Sequence, residues 1–230
     1  MKIILCLMTS VLLATSSSVA QAFTLTDLKA KAIEAGISRT QYDIMIARFK
    51  NYETLQEAAN EKALAHRELT GSFVNGNKNY VMFIDFSLSS AEERLYVVSL
   101  ITGNISKFLV THGMGSDINH NGYAESFSNQ DGTHKSSLGL YISAGIYRGK
   151  HGESVRLHGL SATNSNALER AIVMHAANYV SERIAETEGH IGRSHGCPAM
   201  NTADWNFLKP KIKGGVLLLA YNEKMAKKAD

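Results

Sequence analysis

The sequence is poor in cysteine, because its 230 residues include only Cys6 and Cys197. Cys6 lies in an apolar N-terminal run that we expect to be removed, so the mature chain should hold one thiol and no internal disulfide. The sequence also lacks Cys-x-x-Cys pairs and the His-Glu-x-x-His motif, and its scattered histidines are a poor ligand set for zinc. We therefore expect no catalytic metal ion and no cofactor.

Charge of one sign is also lacking. The 24 lysines and arginines are nearly balanced by 21 aspartates and glutamates, which gives a formal net charge of +3 with neutral histidines. The basic residues are interleaved with acidic ones, except for a lysine cluster at 224–228 inside a segment, 223–230, that we interpret as a solvated basic tail. This distribution is not typical of a nucleic-acid-binding protein, so no nucleic acid partner is expected.

The N-terminal apolar run is too short for a permanent membrane span. It covers Ile3–Ala14, follows the single charge of Lys2, and precedes a serine-rich stretch that ends in Ala20-Gln21-Ala22. A run of this length between such flanks is typical of a secretion signal. We therefore predict a cleaved signal peptide at 1–22, no stable membrane insertion after cleavage, and a periplasmic or secreted protein.

The remaining chain divides into a helical and a β-rich part. From Leu25 to Leu69 apolar residues recur at helical spacing, with Ser38 as an N-cap and Gly36 as a helix stop, so we predict a helical segment at 23–72. From 73 to 222 short β-type runs alternate with long loops that carry most of the histidines, which indicates a mainly β catalytic domain with helical additions. The β-type runs lie at 80–86, 94–100, 105–111, 138–143, 154–157, 171–175 and 215–221.

The one expected thiol lies in Gly192–Pro198, which reads Gly-Arg-Ser-His-Gly-Cys-Pro. A thiol attacks only as thiolate, so a nearby base must take its proton. Eight of the nine histidines lie between His112 and His195. His175 is preferred as the base because it ends a β-type run, which would hold its ring rigidly opposite the cysteine loop. His158 and His112, each followed by glycine, remain alternatives.

The backbone around the thiol suits acyl transfer. The N–H groups of Gly196 and Cys197 could converge into an oxyanion hole, in which each donor contributes roughly 2.7–4 kcal/mol. Gly196 permits the strained backbone that this requires, and Pro198 stiffens the exit. Asn201 is predicted to cap a short helix whose positive end would favour a thiolate. The arrangement indicates attack on a carbonyl carbon.

These residues resemble the catalytic domain of the L,D-transpeptidases of bacterial cell walls, the YkuD-like family. The family pattern is a strand-borne His followed after a loop by Ser/Thr-His-Gly-Cys, and here Ile172–Ala176 is followed by Gly192–Met200. The likeness covers residues 80–222 and extends to the stretches 87–94, 110–113, 127–129, 136–139, 147–152 and 164–170. The resemblance implies a β-sandwich or barrel domain with a short α-helical N-terminal segment.

The resemblance also implies a role for each residue of the motif. Cys197 is similar to the acyl-forming nucleophile, His175 to its base, and Ser194 to the residue whose backbone carbonyl orients that base. Gly196 and Cys197, together with His195, would hold the oxyanion.

The substrate that the resemblance implies is a peptidoglycan stem peptide. The thiol would attack the carbonyl between a diamino acid and a terminal D-Ala, release D-Ala, and leave a thioester that an amine acceptor resolves. Many members carry Arg or Asn two residues after the cysteine, where this chain has Ala199. We therefore assign Arg193 to the substrate, together with His158 and Asn201. The long spacing between His175 and Cys197 also keeps His158 as an alternative base.

Several other functions stay open. Water in place of the amine would make the protein an L,D-carboxypeptidase, and an inert Cys197 would make it a non-catalytic murein-binding protein. Sortase-like enzymes expect an arginine downstream of the cysteine, which is absent here, and papain-like or NlpC-type hydrolases place the cysteine before the histidine. Residues 117–128 match the opening of a calcium loop, but Ser128 stands where a bidentate glutamate belongs, so a polar turn is preferred.

Overall fold

The computed structural model of the protein describes residues 25–51, 54, 57 and 77–223. The predicted signal peptide at 1–22, the boundary between the helical and β-rich parts at 72–73, and all but the first residue of the predicted tail at 223–230 lie outside these residues. Within them, no helix has the length and the apolar character needed to cross a membrane.

Eight strands form one sheet in the described part of the chain. They are β1 (Tyr80–Asp85), β2 (Leu95–Ser99), β3 (Ile105–Phe108), β4 (Gly139–Gly149), β5 (Gly152–Gly159), β6 (Val173–Ala176), β7 (Ala199–Met200) and β8 (Leu217–Tyr221). Their order across the sheet is β3-β2-β1-β8-β4-β5-β6-β7. The pairs β1–β8 and β6–β7 are parallel, and the other pairs are antiparallel.

The central strands are buried on both faces, because each face packs against its own apolar cluster. Alternate residues of a strand point to opposite faces. Met82 and Ile84 of β1 therefore join the cluster that contains Trp205, whereas Val81 and Phe83 join a second cluster. The second cluster also contains Leu28 and Ala32 of the first N-terminal helix, Tyr42 and Ile46 of the second, and Ile37 between them. These two helices thus cover one face of the sheet.

The two ends of the sheet meet. The chain that follows β3 runs beside β7, where the Thr111 N–H donates to the Ala199 carbonyl at 3.0 Å. An isolated parallel bridge joins Gly113 to Ser194 a few residues further on. The sheet is therefore a nearly closed barrel, which leaves little of the backbone of β7 unpaired. The prediction of a mainly β, barrel-like domain with helical additions is confirmed.

Four α-helices accompany the sheet in the described residues, and side chains cap three of them. They are α1 (Leu25–Glu34), α2 (Arg39–Phe49), α3 (Glu182–Glu188) and α4 (Thr202–Ile212). Ser38 caps α2 reciprocally with Gln41, since each side chain bonds the backbone N–H of the other residue at 3.2 and 2.7 Å. In the cap of α3 the Ser181 hydroxyl accepts from the Ile184 N–H at 3.2 Å. Asn201 caps α4, as predicted, by accepting from the Asp204 N–H at 2.8 Å.

The structure extends two of the predicted strands. The runs at 138–143 and 154–157 lengthen into β4 and β5, which pair as far as Gly149 and Gly152. Only Lys150 and His151 remain between them, so the segment is a tight hairpin. Gly152, directly after the turn, has a positive φ of +77°, a conformation that glycine adopts readily. The polar residues at this tip gave no strand pattern, which is why the sequence analysis ended the strands too early.

Candidate active site

The segment that carries the thiol, Gly192–Pro198, is docked against the chain that follows β3. The Ser194 N–H donates to the His112 carbonyl at 2.9 Å, and the Met114 N–H donates to the Ser194 carbonyl at 2.7 Å. The hydroxyl of Thr111 donates to the Cys197 carbonyl at 3.0 Å. These bonds fix the backbone on both sides of the thiol, although the partners lie 80 to 86 residues apart in sequence.

Ser194 closes the cysteine loop on itself. Its Oγ donates to the Cys197 carbonyl at 2.6 Å and accepts from the Gly196 N–H at 3.0 Å. The structure therefore differs from two expectations. The Ser194 carbonyl accepts from Met114 and is not seen to bond His175, and the Gly196 N–H is used inside the loop and does not point to an oxyanion. The sequence could not show this, because a serine two residues before a glycine is free to bond in many ways.

Gly196 occupies a backbone conformation that suits glycine. Its φ is +113°, and a Cβ at this position would lie 2.7 Å from the Lys135 carbonyl oxygen and 3.2 Å from the Arg170 guanidinium. Contacts under 3.0 Å to backbone require the surrounding chain to move. The loop can therefore adopt its shape only because residue 196 has no side chain.

We expect Gly196→Ala to fold but to displace the thiol, since the added methyl group pushes the cysteine loop away from residue 135. Displacement by about 1 Å lowers the rate of such a step by on the order of a hundredfold. The rate at which iodoacetamide alkylates Cys197, followed by mass spectrometry, measures the effect of the substitution. Gly189→Ala is the matched control, because Gly189 also has a positive φ of +72° but meets no atom within 4 Å. An equal loss of alkylation rate in both variants would contradict the steric argument.

His175 lies on β6, opposite Ala199 of β7, and its side chain is buried. Its Nδ1 lies 2.8 Å from the Ala176 carbonyl oxygen. Because a carbonyl oxygen can only accept, Nδ1 carries the proton and Nε2 holds the lone pair. Burial lowers the pKa of His175, which outweighs the opposing effect of the bond to Ala176. The ring is therefore neutral at pH 7 and ready to accept a proton at Nε2.

The sulfur of Cys197 lies beside the start of β6. Sγ is 3.8 Å from the Ala171 carbonyl oxygen and also receives the Val173 N–H. Burial raises the pKa of the thiol, although the Val173 N–H and the positive charges of Arg170 and Lys150 oppose this shift. At neutral pH the resting pair is therefore a thiol and a neutral imidazole, and the thiolate forms only when a base removes the proton.

Arg170 joins several loops beneath the thiol. Its guanidinium donates to the carbonyls of Ser128 at 2.9 Å and Lys135 at 2.6 Å, and to the hydroxyl of Ser137 at 3.2 Å. The sequence analysis included Arg170 only in a stretch of family likeness and gave it no role. The sequence around Arg170 gives little indication of this role, because a single arginine in a polar loop is ordinarily solvated.

The other predicted site residues lie in different settings. His195 is exposed and stacks on His134, with 4.0 Å between ring centroids. His158 is buried on β5, opposite Ile142 of β4. Arg193 donates to the Asp117 carbonyl.

Asn201 starts α4. Its amide group is used twice in the cap, since Oδ1 accepts from the Asp204 N–H and Nδ2 lies 2.5 Å from the Asp204 carboxylate. The second Nδ2 hydrogen and the second lone pair of Oδ1 are not needed by the cap, so the predicted contact of Asn201 with substrate stays a prediction.

A buried charged network, absent from the sequence analysis, lies behind the cysteine loop. Arg94, which is fully buried, donates to His112 Nδ1 at 2.7 Å, and His112 Nε2 lies 3.1 Å from the Asp117 carboxylate. Arginine only donates, so Nδ1 is the acceptor and Nε2 donates to Asp117. Burial, followed by the charge of Arg94, lowers the pKa of His112 to about 3. With both ring nitrogens engaged, His112 is not available as the catalytic base.

The turn that resembles a calcium loop is organised by the same network. The buried carboxylate of Asp117 accepts from the N–H groups of Asn121 at 2.9 Å and Gly122 at 3.0 Å, and from His112. These donors lower the pKa of Asp117 although burial opposes them. The first carboxylate of the motif thus points inward, and the preferred interpretation of the segment as a polar turn agrees with these contacts.

The family model described as "L,D-transpeptidase catalytic domain" matches residues 51–221, well over half of the chain. No curated protein sequence matches the chain significantly.

Several solved structures are similar to the chain at low identity. An L,D-transpeptidase from Mycobacterium smegmatis is 10% identical, with a TM-score of 0.38, over 62% of this chain and 58% of that one. An L,D-transpeptidase from Xylanimonas cellulosilytica is 13% identical, with a TM-score of 0.35, over 70% and 68%. A helical cell shape determining protein from Campylobacter jejuni is 12% identical, with a TM-score of 0.38, over 69% and 53%. The chain thus spans less than two thirds of the length of the first of these relatives.

Proposed function

Because the chain belongs to the L,D-transpeptidase catalytic domain family, we propose that it is a cysteine acyltransferase acting on peptidoglycan stem peptides. One observation carries the proposal. His175 has its lone pair on Nε2, because its Nδ1 donates to the Ala176 carbonyl. The sulfur of Cys197 contacts Val173, which lies two residues before His175 on the same strand, β6. The base lies on β6 and the nucleophile lies just before β7, the strand that pairs with β6.

The reaction begins with proton transfer from Cys197 Sγ to His175 Nε2. The thiolate attacks the carbonyl carbon between the diamino acid and the terminal D-Ala, and forms a tetrahedral oxyanion. His175 returns the proton to the departing amine as the C–N bond breaks, so D-Ala leaves and a thioester remains. An amine from an acceptor stem then attacks the thioester and passes its proton to His175. The C–S bond breaks, His175 returns that proton to the departing sulfur, and the neutral thiol and imidazole are restored.

The remaining parts of the proposal concern the setting of the enzyme. The protein is exported through its N-terminal signal and acts in the periplasm or outside the cell. Its partners are stem peptides, and it takes no cofactor. The neutral resting pair supports this setting, because a thiol that is protonated until substrate arrives is less easily oxidised than a standing thiolate.

The test is intact-mass spectrometry of the protein with purified disaccharide-tetrapeptide, together with an assay for released D-Ala. We expect an acyl adduct, stoichiometric D-Ala and a cross-linked dimer product. His175→Ala should lower the acylation rate by about a hundredfold or more, because a general base contributes a rate enhancement of at least this size. His134→Ala, which removes an exposed histidine, should change it little.

The products decide between the open alternatives. D-Ala release with tripeptide as the only product would reassign the protein as an L,D-carboxypeptidase. A folded protein that binds cell-wall sacculi before and after alkylation, yet forms no adduct and releases no D-Ala, would be a murein-binding protein.

A further inference from the structure

The tip of the β4–β5 hairpin lies over the candidate base. β5 pairs with β6 through Val155–Met174 and Arg156–Val173, so the hairpin runs alongside the strand that carries His175. The tight turn leaves only Lys150 and His151 at the tip. The sequence analysis included both residues in a stretch of family likeness and assigned neither a function.

The ring of His151 stacks on the ring of His175. Their centroids are 4.2 Å apart and their planes are inclined by 21°. His175 is only 2% exposed, whereas His151 is classed as exposed. One face of the candidate base is thus covered by a second imidazole that itself reaches solvent.

We propose that His151 is a positioning residue for the catalytic base: its neutral ring holds His175 in place and stabilises the imidazolium that forms when Cys197 gives up its proton. The inference rests on the proposed function only in taking His175 as that base. No group other than His175 accepts the proton, and His151 neither touches the substrate nor changes its own protonation during the step.

Two constraints fix the ring of His175. The bond from Nδ1 to Ala176 sets which nitrogen carries the proton. Stacking against His151 opposes rotation of the His175 ring, and so keeps Nε2 in its orientation. A ring held in this way loses less entropy when it meets the thiol. Stacking adds an attraction between the two rings beyond the area that they bury.

The charge that develops in the reaction adds to this effect. Once His175 is protonated, it is a cation against the face of a neutral aromatic ring, an arrangement that the π electrons of the ring stabilise. The benefit requires a neutral His151. Burial, Lys150 and His195 all lower the pKa of His151, so the ring is neutral at pH 7.

Acid conditions reverse the benefit. The charged or titratable groups acting on the pair are Lys150 from the hairpin, His195 from the cysteine loop, and the two stacked imidazoles themselves. When His151 gains a proton, it places a positive charge 4.2 Å from His175 and opposes protonation of that ring. The stack therefore stabilises the ion pair only above the pKa of His151.

The experiment compares His151→Phe with His151→Leu, using iodoacetamide alkylation of Cys197 across pH 4–10. Both side chains keep the site covered, but only phenylalanine keeps an aromatic face. We expect the leucine variant to lose about tenfold in plateau rate, and the phenylalanine variant to stay within about threefold of the wild type. The pKa of His175, followed by the NMR shift of its Cε1 proton, should fall in the leucine variant and not in the phenylalanine variant.

Equal behaviour of the two variants, in rate and in the pKa of His175, would overturn the inference. Thermal unfolding checks that both variants are folded, and the NMR titration separates a positioning effect from a general loss of structure. Alkylation requires no peptidoglycan, so the inference fails or holds independently of the natural substrate. If His175→Ala alkylates at the wild-type rate, the proposed mechanism fails. If His175→Ala slows alkylation but His151→Phe and His151→Leu behave alike, the proposed mechanism stands and only the inference about His151 is wrong.

Discussion

Cys197→Ser should abolish formation of the acyl-enzyme and the release of D-Ala. A serine hydroxyl ionises far less readily than a thiol, and His175 alone is too weak a base to compensate. The expected loss is at least about a thousandfold, as for the removal of other covalent nucleophiles. The fold should survive, because Thr111 and Ser194 hold the loop through the backbone carbonyl of residue 197, and the substitution leaves these bonds in place. Intact mass and D-Ala release measure the result.

The control for this prediction is Cys6→Ser in the full chain, which removes the only other cysteine of the sequence. It should leave the acyl adduct and the D-Ala yield unchanged. An adduct of the same mass on the Cys197→Ser protein, or one that disappears with Cys6, would show that the nucleophile lies elsewhere.

Arg94→Met should lower the free energy of unfolding by about 3–5 kcal/mol, the range typical of removing one partner from a buried ionic network. Arg94 donates to the carbonyls of Val110 and Leu88, at 2.9 Å each, and to His112 at 2.7 Å. Methionine preserves much of the volume but leaves these acceptors unpaired and the buried Asp117 carboxylate without its nearby cation. Urea unfolding followed by circular dichroism measures the change.

Lys29→Met provides the matched comparison for Arg94, since Lys29 forms an ion pair with Asp43 at 2.5 Å on the surface. Exposed pairs contribute about 0–1 kcal/mol, so this variant should unfold within that range of the wild type. If the two methionine variants lose similar stability, the network around Arg94 is not the buried ionic anchor described above.

Much of the fold was predictable because central strands that are buried on both faces leave nearly continuous apolar runs in the sequence. The runs at 80–86 and 215–221 became β1 and β8, and Asn201 became the cap of α4. β7 was missed because two residues carry no periodicity. It exists only because β6 and the chain after β3 supply its partners from elsewhere in the sequence.

The candidate site was predictable in its chemistry and less so in its hydrogen bonds. The isolated thiol of Cys197 and a strand-borne His175 follow from residue types and spacing. The partners of Ser194 and Gly196 do not, because a hydroxyl or an N–H can choose among many neighbours within a loop. His112 was kept as an alternative base for the same reason, since nothing near it in sequence reveals Arg94 eighteen residues before it.

The contacts that fix the nucleophile span most of the domain, and this separation has a consequence for when the enzyme becomes active. The partners Ser194–His112 and Cys197–Thr111 are 82 and 86 residues apart. Contacts between such distant residues form late in folding. A chain that is still incomplete therefore carries a cysteine of ordinary reactivity, with no oriented imidazole beside it. In the proposed mechanism, catalytic competence therefore requires that both ends of the sheet have met, so acylation of Cys197 would report that the whole domain has folded.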